Sequence, residues 1–102
     1  MPKTRIIARK TLREFWEEPG HEDAQGPLEA WFARTRQSQW DSPQDIKAEY
    51  GSASILKNGR VVFNIKGNKY RLVVKISYET KQVFIRFVGT HQEYDAIDAE
   101  TI

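Results

Sequence analysis

The chain contains no cysteine. That removes disulfides as a source of stability, thiolate metal sites and a cysteine nucleophile. No apolar run reaches the length of a bilayer-crossing helix, and the first residues, Met1-Pro2-Lys3-Thr4-Arg5, carry no apolar leader stretch. A cytoplasmic protein with no membrane partner is expected. The two histidines, His21 and His91, do not fall at metal-ligand spacing, and the Asp and Glu residues form no recognisable ligand set. No metal and no cofactor is expected. A phosphate-cradling P-loop, a dinucleotide fingerprint and a G-x-S-x-G elbow are all missing, as are internal repeats and low-complexity tracts. The 102 residues amount to a single domain, 1–102, large enough to bury a core without staples.

What the chain does have is charge unevenly placed. Its net charge is only +2. Between Ile55 and Thr90, however, eight basic residues (Lys57, Arg60, Lys66, Lys69, Arg71, Lys75, Lys81, Arg86) face a single acidic one, Glu79. The remainder holds eight basic and thirteen acidic residues. Such a basic block suits a phosphate-bearing partner, because lysine and arginine release counterions condensed on a nucleic-acid backbone.

The first half has helical periodicity. Thr11-Leu12-Arg13-Glu14 predicts a capping box, with Leu12, Phe15 and Trp16 on one helix face and Pro19-Gly20 as the stop. A polar loop, residues 21–26, leads to a second helix from about Pro27, with Leu28, Trp31, Phe32 and Thr35 inward. Ser42 and Pro43 predict the start of a third helix, and Gly51 its end. The three tryptophans are expected in the core.

The second half changes period. Residues 54–56, 60–66, 69–79 and 82–89 are rich in Val, Ile, Phe and Tyr, separated by Asn58-Gly59, Gly67-Asn68 and Thr80-Lys81. These are hairpin signals, so the expected fold is α+β: an antiparallel meander, N-terminal helices packed on one face, and a short C-terminal helix from His91 to about Ala99. Two-residue turns at Gly67-Asn68 and Thr80-Lys81 would set Asn64 across from Arg71, and Arg71 across from Thr90. Period-two alternation then puts Phe63, Ile65, Tyr70, Leu72, Val74, Ile76, Tyr78, Val83, Ile85 and Phe87 on the face covered by helices. Asn64, Arg71, Lys75, Arg86 and Thr90 fall on the other face, with Val62, Val73 and Val88, and that face is expected to be open and basic. Thr90-His91-Gln92-Glu93 predicts a second capping box that starts the last helix. His91, Tyr94 and Asp95 share one side of it.

The row suits RNA cleavage without metal. The substrate's own 2′-hydroxyl attacks the adjacent phosphorus, and the protein must take one proton, give another and stabilise negative charge. Arg71 and Lys69 are candidates for the charge. His91 and Tyr94 are candidates for the proton transfers. Asn64, Asn68, Lys66, Lys75 and Arg86 are candidates for holding the RNA.

The run from Arg60 to Val74 resembles the central strands of HigB toxins, as does the run from Phe84 to Asp95. The segments from Ile7 to Trp16 and from Gly51 to Ser54 also fit, so the resemblance covers nearly the whole chain. Its most specific motifs are Phe-Asn-Ile-x-Gly-Asn-x-Tyr-Arg, ending at Arg71, and Gly-Thr-His-x-Glu-Tyr-Asp, ending at Asp95. HigB toxins are similar to RelE-like mRNA interferases. The resemblance therefore implies a RelE-like fold and the toxin of a type II toxin–antitoxin system, an mRNA endoribonuclease that inhibits translation. It also implies a HigA-like helix-turn-helix antitoxin as partner and contact with operator DNA only through that antitoxin. The substrate would be mRNA, with the ribosome as a further candidate partner. Asn64, Asn68, Lys69, Arg71, His91 and Tyr94 stand at the family's motif positions. Two other readings use the same basic face: a non-catalytic RNA- or ribosome-binding module, and an interaction domain that only docks an acidic antitoxin segment.

Overall fold

A computed structural model describes residues 3–102. Strand β1, Arg5–Ile7, leads into helix α1, Arg9–Trp16; a 3-10 turn, Glu22–Ala24, runs into α2, Gln25–Gln37; α3 follows at Pro43–Glu49. Strands β2, Ser54–Ile55, β3, Arg60–Ile65, β4, Tyr70–Ser77, and β5, Gln82–Thr90, precede a short α4, His91–Asp95. The sheet order is β1-β5-β4-β3-β2. Strands β2 to β5 form the expected antiparallel meander, and β1 joins β5 in parallel, which makes the sheet mixed.

The helices lie where their apolar stripes dictate. Leu12, Phe15 and Trp16 of α1, Leu28, Trp31 and Thr35 of α2 and Ile46 of α3 are buried. They pack with Trp40 on Phe63, Tyr70, Leu72 and Val74, so all three tryptophans are core. Two boundaries differ from expectation. Helix α1 starts at Arg9 with Ala8 as its N-cap, so Thr11 does not cap and Glu14 instead pairs with Lys10 at 3.9 Å. The expected loop before Pro27 is mostly helical turn, with Pro27 inside the first turn of α2. Ser42 and Pro43 do start α3 as N-cap and first helical residue.

Strand register is right at one hairpin and wrong at the next. Asn64 lies across from Arg71, Phe63 from Leu72 and Ile65 from Tyr70, as the Gly67-Asn68 turn predicts. After β4 the connection is not two residues long. Ser77 pairs with Gln82, leaving residues 78–81 as the loop. There the Thr80 hydroxyl lies 2.7 Å from Ser77 Oγ and 3.0 Å from Gln82 Oε1, and Lys81 takes φ +56°. A bulge then follows, because Val74 pairs with Ile85 but Val73 with Phe87, so Arg86 is the extra residue. It reverses the faces beyond it: Val88 packs on the helical side, and Phe87 joins Val62 and Val73 on the other. Arg71 therefore faces Gly89, and Thr90 faces Tyr70.

The second face is also not bare. Helix α4 stops at Asp95 and not near Ala99, and residues 96–102 fold back over the sheet. Ala99, Ile97 and Ile102 pack against Val62, Val73 and Phe87. The physical reason is the apolar surface that Val62, Val73 and the bulge-displaced Phe87 would otherwise expose. The main-chain oxygen of Ile102 accepts hydrogen bonds from Arg60 Nη2 (2.7 Å) and Nε (3.2 Å) and from Arg86 Nε (3.2 Å).

Candidate functional site

The covering segment divides the second face into two ends. At one end lie Arg71, Asn64, the β3–β4 turn and α4. Arg71 is half-buried, and its Nη1 donates to the Asn68 carbonyl at 3.0 Å, which ties the guanidinium to the turn. The guanidinium carbon lies 5.9 Å from the centre of the Tyr94 ring, within cation–π reach. Asn64, its neighbour on β3, directs Nδ2 to the Ser52 carbonyl at 3.5 Å.

Helix α4 is held beside that turn by two devices. The capping box expected from Thr90 and Glu93 is present: Glu93 N–H donates to Thr90 Oγ1 at 3.1 Å, and Thr90 N–H to Glu93 Oε1 at 2.8 Å. In addition His91 N–H donates to the Lys69 carbonyl at 3.3 Å. The first amides of α4 are thus largely spent on protein acceptors. The exposed product of this arrangement is a His91–Asp95 pair, with Nδ1 at 3.1 Å from Oδ2. Gly89 makes room beneath: a Cβ there would stand 2.6 Å from Phe87 Cζ and 2.9 Å from Glu93 Oε1.

Lys69 belongs to this end by its backbone, but its ammonium turns to the helical layer. It pairs with Asp23 of the 3-10 turn, and Tyr70 Oη donates to the other oxygen of the same carboxylate. Those two donors hold Asp23 below the ordinary carboxylate range, and the Asp23 carboxylate holds Lys69 above the ordinary lysine range. Burial first, then the Asp23 bond, raises Tyr70, which stays a neutral donor. Lys66 is exposed on the turn at φ +53° and makes no ion pair among the described residues.

Lys75 and Arg86 lie at the other end. Lys75 pairs with Phe84 and Arg60, four residues along β4 from Arg71, which is about 13 Å at roughly 3.3 Å per residue. Arg86 is bound to Ile102. The structure therefore gathers Asn64, Asn68, Arg71, His91 and Tyr94, adds the backbone of Lys69 and the side chain of Lys66 at the rim, and separates Lys75 and Arg86 from them. Two acidic residues complete the end that the candidate set omits. Asp95 could be read from its i+4 spacing to His91. Asp23 had no local signal, since it meets Lys69 across 46 positions.

A five-stranded mixed sheet, its antiparallel meander under a helical layer and followed by a short C-terminal helix, is consistent with a RelE-like fold. Residues 24–97 match the family model for HigB toxin, the RelE-like toxic component of a toxin–antitoxin system. The chain is also similar to the mRNA interferase toxin HigB of Escherichia coli strain K12 and to the mRNA interferase HigB of Shigella flexneri. Each is 31% identical over 97 residues, covering 92% of this chain and 90% of the relative. The chain belongs to the HigB toxin family. Among the described residues no helix is long and apolar enough to cross a membrane.

Proposed function

We propose that this toxin acts as an mRNA endoribonuclease in the cytoplasm, and that its neutralising partner is a HigA-like helix-turn-helix antitoxin through which alone it meets operator DNA. The observation that carries the reading is Arg71, bound to the β3–β4 turn and set over Tyr94, the helix residue that follows His91 by one turn. The names of its relatives, mRNA interferases, support the same activity.

The cut uses the RNA's own nucleophile and calls for no metal. Of His91 and Tyr94, one takes the 2′-hydroxyl proton as the oxygen attacks phosphorus, and the other protonates the departing 5′-oxygen. Arg71 meets the charge that grows on the phosphoryl oxygens. Lys69, ion-paired with Asp23, exchanges no proton. Asn64, Asn68 and Lys66 hold sugar and phosphate, while Lys75 and Arg86 meet RNA that runs on past Phe84.

This route fixes the products. The upstream fragment ends in a 2′,3′-cyclic phosphate and the downstream fragment begins with a 5′-hydroxyl. Expression without antitoxin, followed by ligation methods selective for each end type, is expected to recover both. Uncut transcripts with RNA bound point instead to the non-catalytic module. A 5′-phosphate on the downstream fragment rules out attack by the 2′-hydroxyl.

A further inference from the structure

Packing accounts for nearly every aromatic residue of this chain. All but Phe84 belong to one of the two hydrophobic clusters. Phe84 is partly exposed, and among the described residues no other ring pairs with it and no cation stands over it. Its register explains this. Phe84 lies directly across from Lys75 on β4 and from Ile7 on β1, so the three side chains leave the sheet on one face. That face is the one turned away from the helices. The cover formed by residues 96–102 packs on Val62, Val73 and Phe87 instead.

Cations without acidic partners surround this ring. Lys75 stands beside it, Arg86 is the bulge residue two positions on, and Arg5 shares the face two residues before Ile7. None of the three forms an ion pair among the described residues. Arg86 uses only Nε, toward the Ile102 oxygen at 3.2 Å. A groove of about 530 Å³ joins the ring to two of these cations. Its lining includes Phe84, Lys75 and Arg86, with Ser77, Thr80 and Gln82 as the polar side.

A single partly exposed phenylalanine is ordinary on a protein surface. One set among unpaired cations over a groove can take a flat ring and an anion together. An acidic peptide would use the cations and leave the ring idle. A nucleotide uses both, with its base on the ring and its phosphate on the cations. The distance to the cutting end also suits a single strand. Lys75 lies four residues along β4 from Arg71, about 13 Å at roughly 3.3 Å per residue. That is roughly four stacked nucleotides at about 3.4 Å each. We propose that the groove at Phe84 is a second RNA site, in which a base of the strand being cut stacks on the Phe84 ring and its phosphate lies between Lys75 and Arg86. The site tolerates any sequence, because every base has a face to stack. It supplies affinity for long RNA and takes no part in the chemistry. It rests on the RNA cleavage proposed above and adds the contact that retains the strand.

The test measures binding of the full chain to RNA with methylated 2′-hydroxyls, which cannot attack phosphorus. The probes are a dinucleotide, a strand of about ten nucleotides, and the same strand with its bases removed outside a central dinucleotide; stripping those bases is expected to weaken wild-type binding about ten-fold, the size of one base–aromatic stack. Phe84→Leu is expected to weaken the complete strand about ten-fold as well, to bind the stripped strand and the dinucleotide as the wild type does, and to melt within a few degrees of it. Phe84→Tyr, which keeps the ring, binds every probe as the wild type does. Lys75→Ala weakens the complete and stripped strands alike, because it removes a phosphate contact. Wild-type affinity of Phe84→Leu for the complete strand overturns the site. So does a stripped strand that binds the wild type as well as the complete one, since the cations alone would then suffice. A Phe84→Leu chain that keeps its RNA affinity and loses the antitoxin makes the groove a protein seat and overturns it too. Should Phe84→Leu fail to fold, the stripped strand and Phe84→Tyr still decide. A wild-type chain that binds the long strand through Phe84 and leaves unmethylated RNA whole sinks the function proposal and not the groove.

Discussion

At the scale of single residues, the proposed cut gives charge work to Arg71 and proton work to His91 and Tyr94. Arg71→Ala removes the guanidinium but leaves β4 hydrogen bonds intact. Cleavage is expected to fall on the order of 10²–10³-fold, the usual loss for one charge-stabilising donor, while the melting temperature drops by only a few degrees, the cost of the contacts with Asn68 and Tyr94. Asp23 predicts a different signature. Its carboxyl is depressed by Lys69 and Tyr70, so the pairing contributes fully above the ordinary carboxylate value of about 3.9 and is lost as pH falls through the depressed value. Lys69 is raised, so on the alkaline side its share is present below about 10.4 and is lost as pH rises through the raised value. The stability gap between wild type and Asp23→Asn is therefore flat across neutral pH and closes in acid. Thermal melts of both proteins in a pH series check this. A gap that changes between pH 6 and 8 would contradict the assignment.

At the scale of elements, the end of β5 and the start of α4 act as one joint. Gly89 is required by packing and not by backbone conformation, because a methyl there meets the Phe87 ring and the Glu93 carboxylate that closes the capping box. Gly89→Ala is expected to cost about 1–3 kcal/mol, as overpacking does. That lowers the melting temperature by several degrees in a domain of this size and weakens cleavage by moving His91 and Tyr94. A circular-dichroism melt measures the first effect. The joint was partly legible in sequence: Thr90-x-x-Glu93 gave the cap and the first residue of α4 correctly. The bulge at Arg86 and the four-residue loop before it were not legible, since neither Thr80-Lys81 nor Arg86 carries a residue type that demands them. Together they shift Arg71 from Thr90 to Gly89 and exchange Phe87 with Val88, while the turn at Gly67-Asn68 still keeps Arg71 beside Asn64.

At the scale of the whole molecule, sequence composition showed a basic second half, and the structure distributes that charge. Residues 96–102 mix Asp98, Glu100 and Thr101 with small and apolar residues, and nothing local says that Ile97, Ala99 and Ile102 cover Val62, Val73 and Phe87. They leave two basic ends where alternation alone implied one open face. RNA affinity should weaken with salt by about 0.7 log units per decade for each phosphate contact on a single strand. Lys66→Ala is expected to lower that slope for a dinucleotide and a longer RNA alike. Lys75→Ala should lower it only for RNA long enough to reach about 13 Å beyond Arg71, at roughly 3.3 Å per strand residue. Binding isotherms across a salt series distinguish the two.

The most direct trial is to map transcript ends in cells that express, without antitoxin, either the wild-type chain or Arg71→Ala at equal protein level. New 5′-hydroxyl ends should accumulate with the wild type and drop at least about a hundred-fold with the variant. Transcripts left whole by the wild type, or the same ends made equally by Arg71→Ala, would contradict a cutting site built around that guanidinium.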